Sequence, residues 1–230
     1  MLMNKTKSKI CFVLLPGFSS DDMQALGLKK ILEKSGYDAV ASNFYGEKII
    51  NDFSALTTEE CLNNISETIN RLSDKYEQVF GIGISLGGAF LMEHAKKFDN
   101  LNGIVSVGTP FRLKKRKLIS LGQWFFPLIY LFWRPLQKIQ KLRLSPIGAS
   151  KEIIGYLEGK FLENLRIVTV PILFLHSKKD GVADYRALEE YVPRVGSEKK
   201  EITYFKNGNH VIDDNPEIIV KHALKFFELE

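Results

Sequence analysis

The chain has 230 residues, of which 45% are hydrophobic and 26% charged. That is enough apolar material for one sizeable core and too much for an intrinsically disordered chain. The net charge is +5, yet the basic residues are spread along the chain without the basic-and-aromatic interleaving of a strand-binding surface, so nucleic acid is not an expected partner.

The first residues imitate a signal peptide, with Met1–Lys9 basic and Ile10–Leu15 apolar. The apolar run is too short for that role, and no small-residue cleavage site follows it. Ile10–Leu15 therefore reads as a strand. Met23–Ser35 reads as a helix with Met23, Leu26, Leu28, Ile31 and Leu32 on its apolar face, and Asp38–Phe44 as a strand. Thr58–Lys75 reads as a helix with Leu62, Ile65, Ile69 and Leu72 on one stripe. Val79–Ile84 is a strand, and Leu86–Phe98 is a helix with Phe90, Leu91, His94, Ala95 and Phe98 at helical spacing. Leu101–Val107 is a strand. Pro171–His176 is a strand followed by a helix at Tyr185–Tyr191. Glu201–Phe205 is a strand, and Pro216–Glu228 a closing helix. Strands alternating with helices predict a mostly parallel sheet covered on both faces, with ligands beyond the carboxyl ends of its strands. No run reaches the 18 or so apolar residues of a membrane span. Cys11 and Cys61 fall in a strand and a helix and form neither a metal-type spacing nor a disulfide framework. Two buried free thiols suit a reducing cytoplasm, which is the expected location.

One stretch breaks the rhythm. Residues 111–169 contain no clear strand, and they divide a core made of 1–110 and 170–230. A segment this long reads as a functional lid. Its "LISLGQWFFPLIYLFWRPL" run holds Trp124, Phe125, Phe126, Ile129, Tyr130, Phe132 and Trp133, too many large apolar groups to leave in water. Pro127 and Pro135 limit it to two or three short helices. The dense basic cluster Arg112, Lys114, Lys115, Arg116 and Lys117 reads first as a solvated face. With the aromatic run it also offers a route to peripheral contact with an anionic membrane surface.

The chemistry-bearing stretch is "GIGISLGGAF", residues 81–90. Ser85 stands two residues from Gly83 and from Gly87, with Gly88 beside them. The G-x-S-x-G pattern places a serine on a strained strand-to-helix turn, and glycines let neighbouring backbone approach it. The strand before it and the helix after it supply the required context. A serine hydroxyl needs a base, ordinarily a histidine. His94 and His222 fall within helices. His176 ends a strand, where it could help position the following loop. His210, in the polar loop "NGNHVID" after the last strand, is at the same sheet edge as Ser85 and is the best base. A carboxylate must orient that histidine. Asp180 in "PILFLHSKKDGVAD" is the preferred acid, and Asp184 the runner-up, reading more readily as a helix N-cap. Asp213 and Asp214 read as N-terminal charges on the last helix. An oxyanion hole of backbone N–H groups would come from Leu86, after the serine, and from Phe18, in the loop "LLPGFSSDD".

With "LLPGFSSD", "GISLGGAF", "PILFLHSKKDGV" and "NGNHVI" in order along nearly the whole chain, the sequence resembles the α/β-hydrolase fold, specifically the small bacterial carboxylesterases and monoacylglycerol lipases. The resemblance implies Ser85 as nucleophile, Asp180 as acid, His210 as base, and Phe18 and Leu86 as oxyanion donors. It implies that residues 111–169 form a helical cap over an acyl pocket, to which Trp124, Phe125, Ile129 and Trp133 would contribute. Two departures stand out: Pro16-Gly17 replaces the usual His-Gly, and the chain matches from the family's third strand, giving about six strands rather than eight. The expected activity is hydrolysis of carboxylic esters with apolar acyl chains, on a small-molecule ester, with neither metal nor organic cofactor. Thioester cleavage or acyl transfer at the same site, and a non-catalytic ligand-binding role, remain open on sequence.

Overall fold

The structure, a computed structural model, describes residues 9–17, 23–42, 44, 57–114, 147–210 and 216–229. Six strands form one sheet: β1 (Ile10–Leu15), β2 (Asp38–Ala41), β3 (Gln78–Ile84), β4 (Gly103–Val107), β5 (Ile172–Ser177) and β6 (Lys200–Phe205). Their order is β2-β1-β3-β4-β5-β6, and every neighbouring pair is parallel. The helices are α1 (Met23–Lys34), α2 (Thr58–Ser73), α3 (Leu86–Ala95), α4 (Ile147–Glu158), α5 (Ala187–Tyr191) and α6 (Pro216–Phe226).

Strand alternation sorts the core into two layers. Cys11, Val13 and Leu15 of β1, with Ile172 and Phe174 of β5, pack on the face covered by α2, α3, α4 and α5. Phe12 and Leu14, with Leu173 and Leu175, pack on the face covered by α1 and α6. Covered on both faces, the central strands β1, β3, β4 and β5 read as near-continuous apolar runs, whereas the edge strands β2 and β6 are only partly buried. Helix α2 buries Leu62, Ile65, Ile69 and Leu72, the stripe read from sequence. Its start is fixed by a capping box, in which Thr57 Oγ1 accepts from Glu60 N and Glu60 Oε2 accepts from Thr57 N, both at 3.1 Å.

Several boundaries differ from the sequence reading. The second strand ends at Ala41 rather than Phe44, although Phe44 is itself buried against Phe90. The buried face of α1 is Ala25, Leu28 and Leu32, while Leu26 is 43% exposed. Helix α3 stops at Ala95 and leaves Phe98 39% exposed. Helix α5 begins at Ala187 rather than Tyr185. Within the 111–169 stretch, Phe111, Phe161, Leu165 and Val168 join the main core cluster.

The sheet order reverses between β1 and β3. Leu15 pairs with Gly83, Ile84 with Val107, and Ser177 with Phe205. The carboxyl ends of five strands therefore line up along one rim. Ser85 follows β3 there, Asp180 follows β5, and His210 follows β6. This is where open parallel sheets hold ligands.

Candidate active site

Ser85 is the junction between β3 and α3. It holds φ 53° and ψ −115°, a left-handed backbone that side-chain-bearing residues rarely adopt. The glycines around it are explained by what a Cβ would strike. At Gly83 it would lie 2.4 Å from the Gly87 carbonyl carbon and the Gly88 nitrogen, and at Gly87 2.6 Å from the Leu15 carbonyl oxygen. At Gly88 it would lie 2.0 Å from Thr109 Oγ1, which accepts a 2.7 Å hydrogen bond from Ser106. The turn is thus clamped between β1 and β4, and the Ser85 N–H donates to the Val107 carbonyl at 2.7 Å.

Three side chains converge on this rim. Ser85 Oγ lies 2.8 Å from His210 Nε2. His210 Nδ1 lies 2.8 Å from Asp180 Oδ2. Asp180 Oδ1 accepts from the backbone N–H groups of Val182 at 2.7 Å and Ala183 at 2.9 Å. Burial pushes the Asp180 carboxyl pKa up, but the close approach of the His176 and His210 ring nitrogens, with the Ala183 N–H, outweighs it and holds the group well below the usual carboxylate range. Such a row can pass the serine proton to the imidazole while the carboxylate steadies the resulting charge.

The sign for stability follows from that depression. The ionised Asp180 contributes stability that is fully present above its ordinary value of 3.8 and is lost as pH falls further below it. Between pH 5 and pH 3, wild-type stability to urea should therefore fall more steeply than that of Asp180→Asn. Equal slopes in the two proteins would contradict this.

The structure sorts the other candidates. Asp184 turns away to Arg186, whose Nε and Nη2 donate to its carboxylate at 3.0 and 3.1 Å. His94 is enclosed between Ser66 Oγ at 2.9 Å and Asn100 Oδ1 at 2.7 Å. His222 packs edge-on against Phe205. The thiols of Cys11 and Cys61 are pushed up to about 12 by burial, so neither serves as a nucleophile near neutral pH. Leu86 opens α3, so its N–H has no intrahelical acceptor and is free to face an anion. Phe18, Asp213 and Asp214 lie outside the described residues, as do Trp124, Phe125, Ile129 and Trp133 and Lys115–Lys117 of the basic cluster. Of the other two basic residues, Arg112 is exposed and pairs with Glu190 at the surface, while Lys114 Nζ reaches inward and donates to the Asp180 carbonyl at 2.6 Å.

His176 lies closer to the site than its place near a strand end suggests. Its Nε2 lies 3.0 Å from Asp180 Oδ2. A signal was available: only three residues separate His176 from Asp180, and a strand end followed by a tight turn folds that distance back on itself.

No protein-family profile matches the chain. The chain is 19% identical over 229 residues to a carboxylesterase of Bacillus subtilis (strain 168), covering 94% of this chain and 91% of that one. Among solved structures, one of the metagenome-derived lipolytic enzymes LipS and LipT superposes with a TM-score of 0.78 at 20% identity, covering 97% of this chain and 95% of that chain. The monoacylglycerol lipase of Paleococcus ferrophilus gives 0.73 at 16% identity over 96% and 95% of the two chains.

The chain has the α/β-hydrolase fold. This fold also covers a bromoperoxidase from Bacillus anthracis, similar at a TM-score of 0.74 and 15% identity over 97% and 93% of the chains. The hydrolase fold accordingly fixes where Ser85, Asp180 and His210 stand, and the reaction has to be argued from the site.

Proposed function

We propose that the chain is a serine hydrolase that cleaves carboxylic esters with apolar acyl chains. The observation that carries this reading is the hydrogen-bonded row of Ser85, His210 and Asp180 on a strained strand-to-helix turn. In the reaction, His210 Nε2 takes the Ser85 proton as Oγ attacks the ester carbonyl carbon. The oxyanion that forms is held by the N–H groups of Leu86 and Phe18. His210 then returns the proton to the departing alkoxide, leaving an acyl-enzyme on Ser85. Water, deprotonated by His210, attacks that acyl group, and the acid leaves with Ser85 restored. Asp180 stays ionised throughout and holds His210 Nδ1–H.

The B. subtilis carboxylesterase and the lipolytic structures support an ester substrate. The aromatic run at 118–136 supports an apolar acyl chain over a small polar acid, with residues 111–169 acting as the cap that covers it.

The test is the rate of p-nitrophenyl ester hydrolysis across acyl lengths from acetate to palmitate, with Ser85→Ala alongside. Turnover should peak at one chain length and fall by about 10³-fold or more in the variant, down to its non-nucleophilic remainder. Turnover that survives in Ser85→Ala would sink the acyl-enzyme route. Transfer of the acyl group to an added alcohol in preference to water would reassign the site to acyl transfer.

A further inference from the structure

Asp180 faces two histidines where the mechanism uses one. Its Oδ2 lies 2.8 Å from His210 Nδ1 and 3.0 Å from His176 Nε2. The side chain of His176 is 2% exposed and that of Asp180 is fully buried. Although it lies this close, the His176 contact does not meet the geometry of a full hydrogen bond, and Nε2 finds no other partner among the described residues. A bare lone pair on Nε2 beside a buried carboxylate oxygen would be repulsive, so the proton of His176 sits on Nε2, and its positive end lies near that oxygen. Lys178 of the following turn points elsewhere, over the Tyr204 ring.

We infer that His176 is a positioning residue acting through Asp180: it takes a share of the Oδ2 charge and so sets how strongly the carboxylate holds His210. The inference rests on the serine-hydrolase reading. Orientation of the carboxylate does not depend on His176, because Val182 and Ala183 hold Oδ1. What His176 governs is charge. With His176 gone, all of Oδ2 serves His210, the His210 imidazolium is better stabilised, and a protonated His210 cannot accept the Ser85 proton. The sign is the same whether His176 is neutral or protonated, since either form draws on the same oxygen. The other charged and titratable groups around the pair are Lys114 on the Asp180 carbonyl, Asp184 with Arg186 and Arg112, Tyr204 opposite His176 on β6, and Tyr185 and Glu189 beside Tyr204. None of these reaches Oδ2 within hydrogen-bond distance in the described contacts.

The test is the pH dependence of covalent labelling by a fluorophosphonate, in which Ser85 Oγ bonds to phosphorus, fluoride leaves and His210 takes the proton. It needs no ester substrate. In His176→Leu the acid limb should move to higher pH by about 0.5–1 unit, the scale of one lost interaction with a buried charge. In His176→Gln, which keeps an N–H donor, the limb should stay near the wild-type position. A limb unmoved or moved to lower pH in His176→Leu overturns the inference. Should that variant not fold, the ¹H–¹⁵N imidazole spectrum of the wild type decides: a protected Nε2–H on His176 is expected, and an unprotonated Nε2 overturns the inference. A protein that labels at Ser85 but cleaves no ester sinks only the ester reading, and one that never labels at Ser85 sinks both.

Discussion

Asp180→Asn is expected to lower kcat by about 10³–10⁴-fold, with KM little changed and the fold intact. The reason lies in which atoms surround the carboxylate. Oδ1 faces two backbone N–H donors, from Val182 and Ala183. An asparagine must present its carbonyl oxygen to them, because its NH₂ group would meet two hydrogens there. The NH₂ group then replaces Oδ2 and points at His210 Nδ1. That nitrogen must become an acceptor, so the ring proton moves to Nε2, the atom that has to receive the Ser85 proton. The imidazole is left in the wrong tautomer, and the imidazolium loses its counter-charge. Steady-state kinetics on a p-nitrophenyl ester, with thermal unfolding as the folding control, check this. A loss of less than tenfold would show that His210 does not depend on Asp180.

Lys96→Met is expected to produce the largest loss of stability, about 3–5 kcal/mol, the cost of leaving a buried charge without its partner. The Lys96 side chain is only 8% exposed and that of Glu93 only 7%. All three ammonium donors are used: Nζ reaches Glu93 Oε2 at 2.9 Å, the Phe161 carbonyl at 2.9 Å and the Glu163 carbonyl at 2.7 Å. After the substitution the Tyr156 hydroxyl, at 3.4 Å, is the partner Glu93 keeps among the described residues. The double variant Glu93→Leu/Lys96→Met should recover part of the loss, because the orphaned carboxylate goes with its partner while the two carbonyls stay unsatisfied. Urea unfolding midpoints measure both. A single-variant loss below about 1 kcal/mol would mean that water screens the pair as it does at a surface.

Much of this was legible because the sequence patterns have direct physical causes. The six segments read as strands became six parallel strands, four of them apolar runs at the centre of the sheet. G-x-S-x-G gave the turn at Ser85 because any Cβ at Gly83 or Gly87 would collide with backbone. Chain order and loop position singled out His210 and Asp180, whose atoms the fold brings to 2.8 Å contacts. The misses have equally physical origins. Leu26 and Phe98 fit a helical period, yet they face outward because neighbouring elements cover a narrower stripe than the period allows. Tyr185 and Arg186 read as helix, but the Asp184 side chain binds the Arg186 backbone and delays the helix to Ala187. His176 looked like a strand end because its tie to Asp180 comes from a turn geometry that composition does not encode. Lys114 looked like surface charge, whereas its ammonium is taken up by a carbonyl of the site.

The two ends of the 111–169 stretch are fastened to different parts of the site. At the first, Leu113 bridges Ala183, the Lys114 N–H donates to the Val182 carbonyl at 2.7 Å and the Asp184 N–H donates to the Arg112 carbonyl at 2.9 Å. At the second, Tyr156 of α4 reaches Glu93 of α3, and Glu152 of α4 accepts from the Thr58 N–H that opens α2. Positions 115–146 are therefore bracketed by one mooring on the Asp180 loop and another on the helix that begins at Ser85. Whatever stands at 115–146, the flanks at Arg112–Lys114 and at Glu152 and Tyr156 are tied to the elements that carry Asp180 and Ser85, so a change that pulls on either flank is passed to the proton-transfer row.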